Sequence, residues 1–172
     1  MINEQAFRDL MTGVCAPVTI VTTHDGAPHG ATVSAFASLS LRPPMVTVAL
    51  DRASGVLARI LDKGRFGVNV LGRGQDDLAL VFARRGAGKF DGVAWHHDHG
   101  LPRLTDAPSW LVCDLAQAVE GGDHLLLLGT VTHAHTTVAA PLVYGHRMFG
   151  THSRYAARPR HAISDVVAAC TR

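Results

Sequence analysis

The stretch DRASG, Asp51 to Gly55, sets an arginine, a hydroxyl and a glycine where the extended run MVTVAL gives way to an apolar period of three to four residues. Free backbone N–H groups in the first turn of a helix, with Arg52 and the Ser54 hydroxyl beside them, suit a phosphate. The same residues also suit an ordinary helix start, with Ser54 as N-cap and Arg52 in solvent. This stretch alone does not choose between the two. A second run, HGATVSAFASLSLRPP from His29 to Pro44, spaces Thr32, Ser34, Ser38 and Ser40 with Ala, Val, Phe and Leu. Small side chains bearing hydroxyls let a flat, polar-edged ring lie against backbone and exchange hydrogen bonds along its rim. Its other reading is a tightly packed strand that fits beneath a neighbour.

Other chemistries are poorly served. VNVLGRGQDDLAL imitates a dinucleotide fingerprint, but Asp77 replaces the third glycine and Asp76 stands beside it. Two carboxylates there would repel a pyrophosphate. The 11 histidines raise the question of a metal, since His133 and His135 share one strand face and HHDH contributes His96, His97 and His99. No H-E-x-x-H, cysteine pair or helical histidine pair accompanies them, so they read as exposed polar positions and no metal site is expected. No G-x-S-x-G nucleophile elbow is present either.

A chain of 172 residues suits one domain with a real core. A formal net charge of +2 does not argue for nucleic acid. The basic cluster RYAARPR near the C-terminus reads as a solvated tail. Cys15, Cys113 and Cys170 are odd in number, far apart and without C-x-x-C spacing, which points to a reducing compartment. MINEQAFRDL lacks a secretory signal, and no apolar run approaches the ~20 residues of a membrane helix. The expected setting is soluble and cytoplasmic, with neither membrane nor nucleic acid as partner.

The elements that must position these residues follow from pattern. NEQAFRDLMTG places Phe7, Leu10 and Met11 on one helical face between an Asn3 N-cap and a Gly13 stop. PVTIVTTHDGAPHG alternates as a strand and turns at Asp25-Gly26; the strand then resumes through His29–Pro44 until Pro43 and Pro44 break it. SGVLARILDKG is a short helix with Val56, Leu57, Ile60 and Leu61 on one side, ended at Lys63-Gly64. RFGVNVL is a strand, QDDLALVFA a helix with Leu78, Val81 and Phe82 inward, and RRGAGKFDG a glycine-rich loop. Two long strands joined by GGD fill Trp110 to Thr137, and PLVYGHRMFG offers one last short strand. Strands outnumber helices and short turns join them, so antiparallel pairing should dominate.

In order and in register, PHGATVSAFASLSLRPPMVTVALDRAS, GRFGVNVL, LALVFA, KFDGVAWH, WLVCDLAQAVEGGDHLLLLGTVTHAH and PLVY resemble the flavin reductase family over roughly residues 5–150. These are reductase components of two-component flavin-dependent monooxygenases. The resemblance implies a mainly β (α+β) fold: a six-stranded antiparallel split β-barrel with short flanking helices, of the FMN-binding split-barrel type. It implies a domain over residues 1–150, a tail over 151–172 without an assigned role, and a homodimer. It also implies that FMN or FAD meets NADH or NADPH. By the family pattern Thr32, Val33, Ser34 and Ala35 line the flavin ring, and Asp51, Arg52, Ala53 and Ser54 lie near its phosphate and ribityl chain. Lys89 and Phe90 match a second flavin-contacting segment, His124 the position beside the nicotinamide, and Tyr144 and His146 border that pocket.

On this reading the cofactors carry the bond-making chemistry. The protein stacks two rings at roughly 3–3.5 Å and stabilises developing charge with main-chain amides, without a nucleophile or general base. His124 is expected to orient the nicotinamide. Two rivals stand beside it: a flavoprotein oxidase resembling pyridoxamine phosphate oxidase, and a flavin-binding carrier that catalyses nothing.

Overall fold

The computed structural model describes residues 2–152, so the RYAARPR cluster, Cys170 and all of the tail beyond His152 lie outside the described residues. Along the chain run α1 (Glu4–Thr12), β1 (Ala16–Pro17), β2 (Thr19–His24), β3 (Pro28–Val33), β4 (Phe36–Leu41) and β5 (Pro44–Asp51). Then follow α2 (Gly55–Lys63), β6 (Arg65–Val70), α3 (Asp76–Ala83), β7 (Trp95–Asp98) and β8 (Leu101–Leu104). The described residues end with β9 (Ser109–Gly121), β10 (His124–Thr136), β11 (Val143–Gly145) and β12 (Met148–Gly150). Every strand pairing is antiparallel.

The main sheet has seven strands in the order β3-β2-β6-β9-β10-β5-β4, with separate sheets β1-β11-β12 and β7-β8. This corrects the expected count of six. The run His29–Pro44 is not one resuming strand: β3 and β4 are two strands on opposite edges of the sheet, separated in the chain by Ser34 and Ala35 alone. Three Cα steps reach at most about 11 Å. A flat seven-stranded sheet is about 29 Å across. The sheet therefore curls until its edges approach, and Ala49 donates its amide to the Ala35 carbonyl at 3.0 Å. Among the described residues no ladder joins β3 to β4, so the short link and not hydrogen bonding ties the edges.

One apolar cluster joins Val21, Val33, Val48, Phe66 and Leu127 to Val56, Leu57 and Ile60 of α2. A second cluster, with Val18, Ile20, Leu71, Phe82, Leu104 and Leu142, packs against α3. Strand β2 supplies both, which is why Thr19 to Thr23 are all buried instead of alternating in and out. Buried threonine hydroxyls must then find acceptors: Thr19 donates to the Val33 carbonyl at 2.8 Å and Thr22 to that of Pro102 at 2.8 Å.

The local signals hold at both predicted helix starts. Asn3 accepts from the Ala6 amide at 2.8 Å, and Ser54 accepts from the Leu57 amide at 3.5 Å. Gly64 ends α2 at φ +69, a conformation that side chains resist. The apolar face of α1 is exposed, however: among the described residues nothing fully covers Phe7, Leu10 or Met11. Two regions differ from expectation. Trp95–Leu104 forms a β-hairpin, and the single last strand is a hairpin turning at His146 and Arg147, both at positive φ.

Candidate functional site

At the end of β5 the chain makes a tight corner against the β9–β10 turn. His124 faces Asp51 across the β5–β10 ladder. The Asp51 carboxylate accepts from the Ala53 amide at 2.7 Å, its carbonyl accepts from Ser54 at 2.8 Å, and α2 starts from this turn. The Arg52 amide donates to the Asp123 carbonyl at 3.0 Å, and its Nε donates to the Gly122 carbonyl at 2.9 Å. Its Nη2 pairs with Glu120 at 3.3 Å. Arg52 therefore spends its guanidinium on the turn that carries His124, although the side chain stays exposed. Among the described residues the first two α2 amides, Gly55 and Val56, donate to nothing, so an anion could meet them. His124 Nδ1 lies 2.7 Å from the Asp123 carboxylate, and this hydrogen bond holds the Asp123 carboxyl below the usual carboxylate range.

The link between β3 and β4 reaches the same end of the sheet, because Ala35 binds Ala49 two residues before Asp51. Val33 is buried in the inner cluster, while Ser34 and Ala35 are exposed. Thr32 turns away and donates to the Ala79 carbonyl of α3 at 2.6 Å. Among the described residues the Ser34 and Ala35 amides and the Ser34 and Ser38 hydroxyls have no hydrogen-bond partner. That is a row of unspent donors beside a backbone without bulky side chains.

Lys89 and Phe90 reach β3 from the other side. Lys89 Nζ donates to the carbonyls of Gly30 at 3.1 Å and Phe82 at 3.0 Å, and burial pushes its pKa down. Phe90 packs edge-on between Phe82 and Trp95, with ring centroids 4.8 and 5.4 Å away. Gly30 makes room for this stack, since a Cβ there would lie 2.8 Å from the Phe82 ring. Two of the three Lys89 N–H bonds thus brace α3 against the edge strand.

The structure therefore gathers Ser34, Ala35, Asp51–Ser54 and His124 at one end of the main sheet, with Lys89 and Phe90 attached through β3. It places Tyr144 and His146 apart. Tyr144 pairs with Ala16 in the three-stranded sheet, and the His146 amide donates to the Thr12 carbonyl at 2.6 Å. Sequence reasoning missed Arg59. Its Nη1 donates to the Gly55 carbonyl at 2.7 Å beside the open α2 amides, and its Nε lies 4.0 Å from the Asp25 carboxylate. Spacing could have flagged it, because four residues place Arg59 one helical turn beyond Gly55.

The sequence matches the family described as flavin reductase like domain over residues 11–153. The chain belongs to that family. It is 41% identical over 150 residues to the reductase component of a 4-nitrophenol 4-monooxygenase/4-nitrocatechol 2-monooxygenase from Rhodococcus opacus, covering 87% of this chain and 81% of that one. The fold is similar to that of the flavin reductase PheA2 in its native state, with a TM-score of 0.80 and 30% identity over 88% of this chain and 99% of that one. It is also similar to the NADH:FAD oxidoreductase SgcE6 of Streptomyces globisporus C-1027 in complex with NAD and FAD fragments. There the TM-score is 0.82 and the identity 27%, covering 94% of this chain and 96% of that one. For a flavin reductase, the donor set fits its ligand: unpaired amides and hydroxyls at 34–38 suit the polar rim of a tricyclic ring. Free amides at the α2 N-terminus suit a phosphate.

Proposed function

We propose that this protein is an NAD(P)H:flavin oxidoreductase that reduces FMN or FAD and supplies the reduced flavin to a partner flavin-dependent monooxygenase. The observation that carries the reading is the meeting of the unspent Ser34–Ala35 donors, the Asp51–Ser54 corner and His124 at one end of the sheet. Bound flavin and nicotinamide supply the acceptor and donor of a hydride. The protein's own work is binding, orientation and electrostatics. Thr32 to Ala35 bring main-chain amides to the ring edge, where fixed dipoles stabilise developing negative charge without a titrating acid. The Gly55 and Val56 amides, with Ala53 and Ser54 beside them and Arg59 close by, take the phosphate. Lys89 holds the edge strand in place and keeps one N–H for the ligand, and Phe90 backs it. His124 orients the nicotinamide, and Arg52 fixes the turn on which His124 stands.

Two copies of the chain are part of this reading. Phe7, Leu10 and Met11 of α1 and Val119 of β9 are exposed in one copy, and a second copy would cover such surface. The dimer is also what would bring Tyr144 and His146 to a pocket from which their own sheet stands apart. We place the protein in the cytoplasm and its reductase domain over residues 1–150, and assign the tail over 151–172 no role. Among the described residues no helix is long and apolar enough to cross a membrane.

The test is direct. Purified protein is mixed with FMN or FAD and with NADH or NADPH, and loss of nicotinamide absorbance is followed. Oxidation that requires both flavin and protein is the expected result. Flavin binding without any nicotinamide oxidation would leave a carrier and overturn the reading.

A further inference from the structure

One cluster of ligand-type side chains lies outside every part given to flavin. The carboxylate of Asp98 and the imidazoles of His99 and His133 offer one ligand atom each, all within 4.8 Å of one another. They come from two pieces of chain. Asp98 and His99 form the corner of the β7–β8 hairpin, and His133 stands on β10. The His99 and His133 rings lie 4.2 Å apart, and His99 Nε2 is 3.6 Å from Asp98 Oδ1. An ion seated between such atoms would bind each at about 2.0–2.2 Å, so only small side-chain rotations are needed.

The surroundings hold these ligands in place. Arg103 Nη1 donates to Asp98 Oδ2 at 2.8 Å, leaving Oδ1 on the side of His99. Its Nη2 lies 2.9 Å from His135 Nδ1. Arg65 Nη1 donates to the His99 carbonyl at 3.4 Å, and the φ of His99 is +51. Outer groups that fix the orientation of ligands are a recurrent feature of built metal sites. Two imidazoles and one carboxylate with an open fourth position match a borderline divalent ion, not Mg2+ or Ca2+, which take oxygen ligands.

We propose that Asp98, His99 and His133 form a binding site for a divalent transition-metal ion that clamps the β7–β8 hairpin to β10. The proposal is independent of the flavin chemistry. Tag-free protein is stripped with chelator and titrated with Zn2+ by calorimetry, and with Co2+ by visible absorption. One equivalent of Zn2+ per chain and a four- or five-coordinate Co2+ spectrum are expected. His133→Ala, His99→Gln and Asp98→Asn should each weaken binding at least about tenfold. His96→Ala, two residues away on the same hairpin, should leave it unchanged. Zn2+ should also raise the unfolding temperature of the parent protein but not of His133→Ala. Absence of stoichiometric binding overturns the proposal, as does binding that survives His133→Ala and Asp98→Asn. Circular dichroism of each variant shows that lost binding is not lost folding.

Discussion

The two halves of the β9–β10 ribbon are built from the same ladder and serve opposite ends. In β9, Trp110, Val112 and Cys113 are fully buried, whereas every residue from Ala116 to Gly121 is exposed. At the buried half the Trp110 ring covers Gly67 on the neighbouring strand so closely that a Cβ there would overlap it. At the exposed half Arg52 bonds to the Asp123 and Gly122 carbonyls of the turn and pairs with Glu120, and His124 stands beside them. The buried half has traded all freedom for packing. The exposed half keeps side chains available, and its position is fixed through backbone groups.

This contrast can be broken at either end. Trp110→Ala should cost roughly 3–5 kcal/mol in denaturant unfolding, because a large fully buried ring leaves a cavity. Turnover per folded molecule should stay unchanged. Gly67→Ala should cost about 1–3 kcal/mol by overpacking against the same ring. A Gly67→Ala protein of parental stability would show that the ring yields. Cys113, in the buried half, has its thiol pKa pushed up to about 12, chiefly by burial. In the unfolded chain the thiol ionises near about 8.5, so between these values the native state holds the proton and the unfolded state loses it. Stability should therefore fall by about 1.4 kcal/mol per pH unit through this window. Cys113→Ala should lack that contribution, as pH-dependent unfolding curves would reveal.

The exposed half predicts the reverse pattern. His124→Ala should change stability by no more than about 0.5 kcal/mol. It should raise the KM for nicotinamide about tenfold, a cost of about 1.4 kcal/mol, while flavin binding by fluorescence is spared. An unchanged KM and kcat would remove His124 from the site. Arg52→Ala should have a smaller effect of the same kind, because it acts through the turn. Its loss should fall equally on FMN and riboflavin as acceptors. A penalty confined to FMN would mean that the guanidinium binds phosphate instead.

Legibility in the sequence followed the range of the interactions. The limits of α2 were readable because Ser54 and Gly64 act on their own neighbours. At the DRASG corner Ser54 caps the helix as its plain reading expects, Arg52 is drawn to the β9–β10 turn as neither reading expects, and two amides stay open. The β7–β8 hairpin was not legible. WHHD lacks alternation, and the hairpin is held by partners far away in sequence: Asn69 accepts from the Leu104 amide, and Thr22 donates to the Pro102 carbonyl. The family resemblance marks Lys89 as a flavin-contacting position, but nothing in the sequence says that Gly30 and Phe82 would take two of its bonds. Nor does local pattern reveal that β3 and β4 part to opposite edges, since each alone reads as an acceptable continuation of the other.

That parting has an outcome for how the molecule tolerates change in length. The bend at Asp25-Gly26 is exposed, a side chain at Gly26 would meet nothing, and among the described residues its one side-chain tie is the Asp25 carboxylate to Lys63 and Arg59 on the surface of α2, so extra residues there would cost little beyond loop entropy. A residue inserted between Ser34 and Ala35 would instead slacken the strap that draws both rims together. Curvature of the whole wall and aim of the ring-facing amides would then shift in concert, which makes this dipeptide a place where evolution can substitute but hardly lengthen.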